Sequence, residues 1–194
     1  MERKSEITLI LGGTRSGKSS FAETLAREFG DVTFIATADS KDAEMEARIK
    51  IHKDRRPAGW KTWEGDVGAL PSEIAKMRGT LLLDCLTMYL SRLLLASSAF
   101  EGDDWDVWQA EERGILAGIE DLFAGFAASR SVERRLIVVS NEVGLGLVPP
   151  FAQGRRFRDV QGRANQIVAR FSDSVAFMAA GLPMWLKKSE KRPS

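Results

Sequence analysis

Eight consecutive residues, Gly12-Gly13-Thr14-Arg15-Ser16-Gly17-Lys18-Ser19, have the spacing G-x-x-x-x-G-K-[ST] of a phosphate-cradling loop. Gly12 and Gly17 let the backbone curl so that its N–H groups ring phosphate oxygens, a shape that side chains would obstruct. Lys18 supplies a positive charge for the terminal phosphates, and the Ser19 hydroxyl is a ligand for Mg²⁺. The chemistry implied is capture of a nucleoside triphosphate by its phosphates. Asp84 closes the apolar run Thr80-Leu81-Leu82-Leu83, where a carboxylate suits the Mg²⁺ partner of such a loop, directly or through water. The same side chain could instead cap the helix expected from Leu86. His52 is the only histidine, and Arg48, Lys53, Arg55 and Arg56 lie within four positions of it. Such a cationic patch binds triphosphate and disfavours imidazolium, which leaves a neutral ring able to attack phosphorus. The competing reading is that residues 48–53 form a solvated helix end and His52 is structural or merely binds phosphate.

These residues do chemistry only if regular elements hold them. Apolar runs of strand length alternate with longer segments of helical period, which predicts an α/β protein with a largely parallel sheet flanked by helices. Strands are expected at Ile7–Leu11, Val32–Ala36, Thr80–Asp84, Leu136–Ser140, Ser174–Ala179 and Met184–Lys187. Helices are expected at Lys18–Phe29, Asp42–Lys53, Val67–Met77, Leu86–Ala96, Trp105–Ala128 and Phe157–Phe171. The loop thus sits between a strand and a helix, the context its motif requires. The helix starting near Lys18 points its positive end at the same anion. Two connections carry functional residue types. Arg55-Arg56-Pro57-Ala58-Gly59-Trp60 joins basic and aromatic side chains at a helix end. Asn141-Glu142-Val143-Gly144 follows a buried strand at the sheet edge where open α/β folds bind ligands, although its glycines also suit a plain turn. The acidic stretch Glu101 to Asp106 reads as a solvated loop and helix start.

Composition narrows the function classes. A chain of 194 residues, 44% hydrophobic and 28% charged, predicts one soluble domain over 1–194, with 188–194 as a loosely held polar tail. The formal net charge of +1 gives no global pull toward nucleic acid or membranes. One cysteine, Cys85, excludes an internal disulfide and a cysteine-built metal site. The charged start Met1–Glu6 does not resemble a signal peptide, and the longest apolar tract, Leu81 to Ala96, is broken by Asp84 and Arg92. A cytoplasmic protein is the expectation. A GTPase switch would carry Asn-Lys-x-Asp, which is missing from the sequence. A RecA-like nucleic-acid motor would need a broad basic face. A simple small-molecule kinase remains the alternative.

The phosphate loop, Ile35-Ala36-Thr37-Ala38, the block Glu44 to Pro57 with Arg48-Ile49 and His52, Trp60 and Thr62-Trp63-Glu64 together resemble one family. So do Leu83-Asp84-Cys85-Leu86-Thr87, Asn141-Glu142-Val143-Gly144 and Phe157-Arg158-Asp159. The family is the bifunctional adenosylcobinamide kinase / adenosylcobinamide-phosphate guanylyltransferases, and the likeness runs in order from residue 7 to about 187. It implies a P-loop NTPase fold of RecA-like type. It also implies two reactions: ATP or GTP phosphorylates adenosylcobinamide, then GTP donates GMP to that phosphate, releasing pyrophosphate. The resemblance makes His52 the carrier of GMP and Lys18 a catalytic partner. It puts Gly12, Gly13, Thr14, Arg15, Ser16, Gly17, Lys18, Ser19, Ala36, Thr37, Ala38, Lys53, Asp54, Arg55, Arg56, Glu64 and Asp84 against nucleotide, with Ser19 and Asp84 on Mg²⁺. A corrinoid substrate and a homotrimer with shared sites are likewise implied, and residues 141–144 and 155–165 are the expected contacts beyond the nucleotide. One departure is Arg92, where relatives tend to have Asn shortly after the Asp-Cys-Leu-Thr block.

Overall fold

Strands that are apolar on both faces need cover on both sides, and Leu81 to Leu83 and Leu136 to Val139 receive it. The computed structural model describes residues 5–38, 43–54, 56–128 and 134–189, and the side chains of residues 44, 45, 48, 51 and 52 lie outside that description. In chain order the strands are β1 (Glu6–Gly12), β2 (Val32–Ala36), β3 (Lys61–Trp63), β4 (Gly79–Asp84), β5 (Arg134–Asn141), β6 (Ser174–Ala179) and β7 (Leu182–Lys187). The helices are α1 (Lys18–Phe29), α2 (Ala43–Asp54), α3 (Leu70–Lys76), α4 (Leu86–Leu95), α5 (Ser98–Glu101), α6 (Trp105–Ala128) and α7 (Ala152–Phe171). They build one seven-stranded sheet in the order β3-β2-β4-β5-β1-β6-β7, parallel except for the antiparallel β6–β7 pair. An extra strand, β5, therefore separates the strand that leads into the glycine-rich loop from the strand that ends in Asp84.

Period-2 alternation sorts the core into two layers. Ile7, Leu9, Leu81, Leu83, Leu136 and Val138 face α3, α4, α6 and α7, where Leu70, Leu90, Phe123 and Val160 meet them. Ile10, Phe34, Leu82, Ile137 and Val139 face the opposite way, onto Ala22, Leu25 and Ala26 of α1. The helix that follows the glycine-rich loop is thus locked to the sheet by its own apolar face. Asp104 starts α6 by accepting from the Asp106 and Val107 amides through Oδ1, so the acidic stretch serves as a helix cap.

Several bounds differ from those the apolar spacing predicts. Residues Val67–Ala69 form a 3₁₀ turn rather than the start of α3, with Pro71 in the first turn of the true helix. Strand β3 and helix α5 were not expected. Each is short and takes its shape from pairing or packing rather than from its own period. Helix α7 starts at Ala152, five residues before Phe157, because arginines rather than apolar residues tether its first turns. Among the described residues no helix is long and apolar enough to cross a membrane.

Candidate functional site

The loop after β1 adopts a shape only glycine permits at two points. Gly12 has φ +153, and a Cβ there would sit 2.6 Å from the Met178 carbonyl oxygen. Gly17 has φ +94, and its Cβ would meet Gly181 Cα at 3.1 Å. Both neighbours belong to the β6–β7 hairpin, whose Gly181 amide also donates to the Ser16 carbonyl (3.0 Å). The hairpin is therefore a buttress under the loop. Gly17 is the N-cap of α1 and no side chain caps that helix, so its N-terminus is left to an anion.

Lys18 folds back so that Nζ donates to the Gly13 carbonyl at 2.5 Å. Its side chain is buried, and burial pulls its pKa below the usual 10.5 against the opposing pull of Cys85 and Asp84. Asp84 ends β4 opposite Ala36 on one side and Val139 on the other. It does not cap α4: Cys85 does, accepting the Met88 amide at Sγ (3.4 Å). The carboxylate instead lines the cleft above the sheet. Burial and the Asp84 carboxylate push the Cys85 thiol up to about 12, so it stays protonated at neutral pH.

That cleft encloses about 550 Å³ and is walled by Thr14, Arg15, Ser16, Gly17, Lys18 and Ser19 of the loop, with Ala36, Ala38, Arg56, Glu64 and Asp84. Gly12 and Gly13 shape the loop from beneath without lining the cleft. Thr37 also stays out of it. Fully buried, its hydroxyl donates to the Cys85 carbonyl (2.7 Å) and accepts the Cys85 amide (2.8 Å), so it fixes the peptide after Asp84. Arg56 stacks its guanidinium 3.4 Å from the Phe34 ring centroid. Its Nε and Nη1 are buried with no hydrogen-bond partner among the described residues. Burial lowers its pKa, opposed by Asp84, Glu64 and Glu23, and a guanidinium so placed remains charged. Lys53 is half-exposed and pairs with Glu64 at 2.8 Å, outside the cleft wall, and Asp54 is exposed. Arg55 and the side chain of His52 lie outside the described residues. Ile49, three residues before His52 on α2, lines the cleft.

Among the wall residues that the sequence reading did not assign to the nucleotide, besides Ser20 and Cys85 next to assigned positions, are Phe34, Ile49, Met88, Val139 and Asn141. Four of these read as ordinary core residues, and only Asn141, at a strand end beside the loop, carried a signal. Arg92 is half-buried on α4 and is not part of the cleft wall.

The arrangement can hold a polyphosphate between a glycine ring, a lysine, an arginine and a carboxylate. The family model described as "Cobinamide kinase / cobinamide phosphate guanyltransferase" matches residues 8–186. The "bifunctional adenosylcobalamin biosynthesis protein CobP" of Pseudomonas aeruginosa is 43% identical over 92% of this chain and 96% of its own. The similarly named CobU of Salmonella typhimurium is 38% identical over 92% and 98%. Among solved structures, an ATPase of a type III secretion system superposes with a TM-score of 0.57 at 10% identity. It covers 93% of this chain and 56% of its own, a likeness of fold alone. The chain is a member of the cobinamide kinase / cobinamide phosphate guanyltransferase family.

Proposed function

We propose that this protein phosphorylates adenosylcobinamide with ATP or GTP and then transfers GMP from GTP to the new phosphate, giving adenosylcobinamide-GDP and pyrophosphate. The observation that carries this reading is the family match along residues 8–186, joined to a cleft whose loop, Arg56 and Asp84 suit a triphosphate. In the kinase step the loop amides and Lys18 hold the β- and γ-phosphates while the acceptor hydroxyl attacks the γ-phosphorus. In the transfer step a neutral His52 nitrogen attacks the α-phosphorus, and the bond to pyrophosphate breaks. Lys18 and Arg56 balance the charge on that leaving group. A phosphate oxygen of the corrinoid then displaces GMP from the histidine, cutting the P–N bond.

Mg²⁺ fits the residues present. Ser19 and Asp84 bring two hard oxygen donors to one cleft, which suits an ion that keeps most of its waters and takes the rest of its shell from phosphates. Bound there, it would neutralise charge developing on the phosphoryl oxygens. A homotrimer is part of the same reading. It is supported by apolar side chains left on the outer strand β7, where Leu182, Met184 and Leu186 are all more than half exposed. The test is chromatographic: protein, Mg²⁺, GTP and adenosylcobinamide should yield first the phosphate and then the GDP ester, with one pyrophosphate per ester. Formation of the phosphate alone would reduce the protein to a kinase.

A further inference from the structure

A buried polar cluster lies behind the cleft and converges on one residue. Ser140 and Gln161 are fully buried, and Asn165 and Thr87 nearly so. Ser140 Oγ donates to Asn165 Oδ1 (2.6 Å), and Gln161 Nε2 donates to both Ser140 Oγ (2.9 Å) and Asn165 Oδ1 (2.9 Å). Asn165 Nδ2 then donates to the carbonyl of Asn141 (3.1 Å), while the Asn141 amide donates to Thr87 Oγ1 (2.8 Å). The next amide, Glu142 N, donates to the Gly12 carbonyl (3.0 Å). Helices α4 and α7, packed on one face of the sheet, thus clamp the amide and the carbonyl of Asn141 at the point where the sheet runs out.

Stability alone does not account for this cluster. Four polar side chains occupy a core that aliphatic residues could fill, and Gln161 Oε1 is buried with no partner among the described residues, which is a cost. What the clamp fixes is the origin of the Asn141 side chain, which lines the cleft. Asn141 is the register partner of Gly12, and the Lys18 ammonium rests on the carbonyl of Gly13, so both flank one end of the loop. β5 also lies between β1 and β4, so Asn141 stands between the loop and Asp84. A carboxamide has donors for a phosphoryl oxygen and an acceptor for an alcohol proton.

We propose that Asn141 is a catalytic residue of the γ-phosphoryl transfer, bridging the γ-phosphoryl group and the acceptor hydroxyl, and that Gln161, Asn165, Ser140 and Thr87 are its positioning residues. The inference rests on the kinase half of the function proposed above. In that step the acceptor oxygen forms the new P–O bond and the β,γ-bridging P–O bond breaks, its electrons leaving on the nucleoside diphosphate. The hydroxyl proton departs on the transferred phosphoryl group and exchanges with water, and Asn141 neither gains nor loses a proton. The α-phosphorus chemistry at His52 does not pass through this amide.

The experiment measures kcat and KM for adenosylcobinamide phosphorylation beside the rate of protein labelling by GTP carrying α-phosphate label. It uses wild type, Asn141→Ala and Gln161→Leu. Asn141→Ala is expected to lower kinase kcat by roughly a hundredfold with little change in nucleotide KM, so that the ratio of kinase turnover to labelling collapses. Gln161→Leu is expected to lower kinase kcat by roughly tenfold while the melting temperature holds or rises, a split that a purely structural role would not produce. Asn141→Ala removes no core contact, so it reads the claim even if Gln161→Leu fails to fold. An unchanged kinase kcat in Asn141→Ala, or equal losses in both reactions, overturns the inference. A wild-type protein that does not phosphorylate adenosylcobinamide overturns the underlying function as well, and is distinguished by that lane alone.

Discussion

Lys18 is held in an environment that weakens its own charge, since burial outweighs the help from Cys85 and Asp84. Its folded pKa lies below 10.5, so as pH rises toward that value the empty cleft loses this proton before an exposed lysine would. A bound triphosphate restores it. Nucleotide binding is therefore expected to take up a proton in that alkaline window, and affinity to fall as pH rises through it. Calorimetry in two buffers of different ionisation enthalpy reads the uptake as a difference between the observed heats, and equal observed heats in both buffers would contradict it. Gly17→Ala is a second residue-scale test. A Cβ at φ +94 and 3.1 Å from Gly181 costs about 1–2 kcal/mol, and loss of nucleotide binding should exceed what that destabilisation explains. The position of the loop and of Asp84 at one cleft was legible in the sequence because it follows from local backbone shape and a strand end. Thr37 was not, because only the fold reveals that its hydroxyl is spent on the Cys85 peptide. Phe34, Ile49, Met88 and Val139 line the cleft, yet their types say only that they are apolar.

At the scale of elements, β1, β4 and β5 could be read as continuous apolar runs, whereas β3 exists only because Thr33 to Ile35 offer it an edge. The first turns of α7 were missed for a related reason. Arg156 there spends Nη1 on the carbonyls of Ala99, Phe100 and Gly102 and lies 5.0 Å from the Trp108 ring centroid. It thereby ties α7 to the end of α5 and the start of α6. Arg156→Ala strands those carbonyls and removes the ring contact, an expected loss of about 2 kcal/mol. That corresponds to roughly 4–8 °C in Tm for a chain of this size. Calorimetry of the variant checks this, and a Tm within a degree of wild type would mean that water replaces the arginine. The β6–β7 hairpin is an element whose importance no periodicity announces. Its Gly181 reaches the glycine-rich loop through the Ser16 carbonyl.

For the whole molecule, one sheet carries the floor of the cleft, with the loop from β1, Asp84 from β4, Asn141 from β5 and Phe34 from β2, while Ile49 of α2, Arg56 and Met88 of α4 add to its walls. The apolar outer face of β7 and the exposed Leu147 and Phe151 remain uncovered within a single chain. Light scattering on the purified protein should give a mass of about three times the 21.5 kDa chain, and a monomer at micromolar concentration would contradict the trimeric reading. The central claim is that two phosphoryl chemistries share this site, one through the γ-phosphorus and one through His52. Incubation with GTP labelled at the α-phosphate tests it most directly. The account predicts protein-bound label that is acid-labile, base-stable and lost in His52→Ala, whereas no covalent label from a protein that still phosphorylates adenosylcobinamide would contradict it.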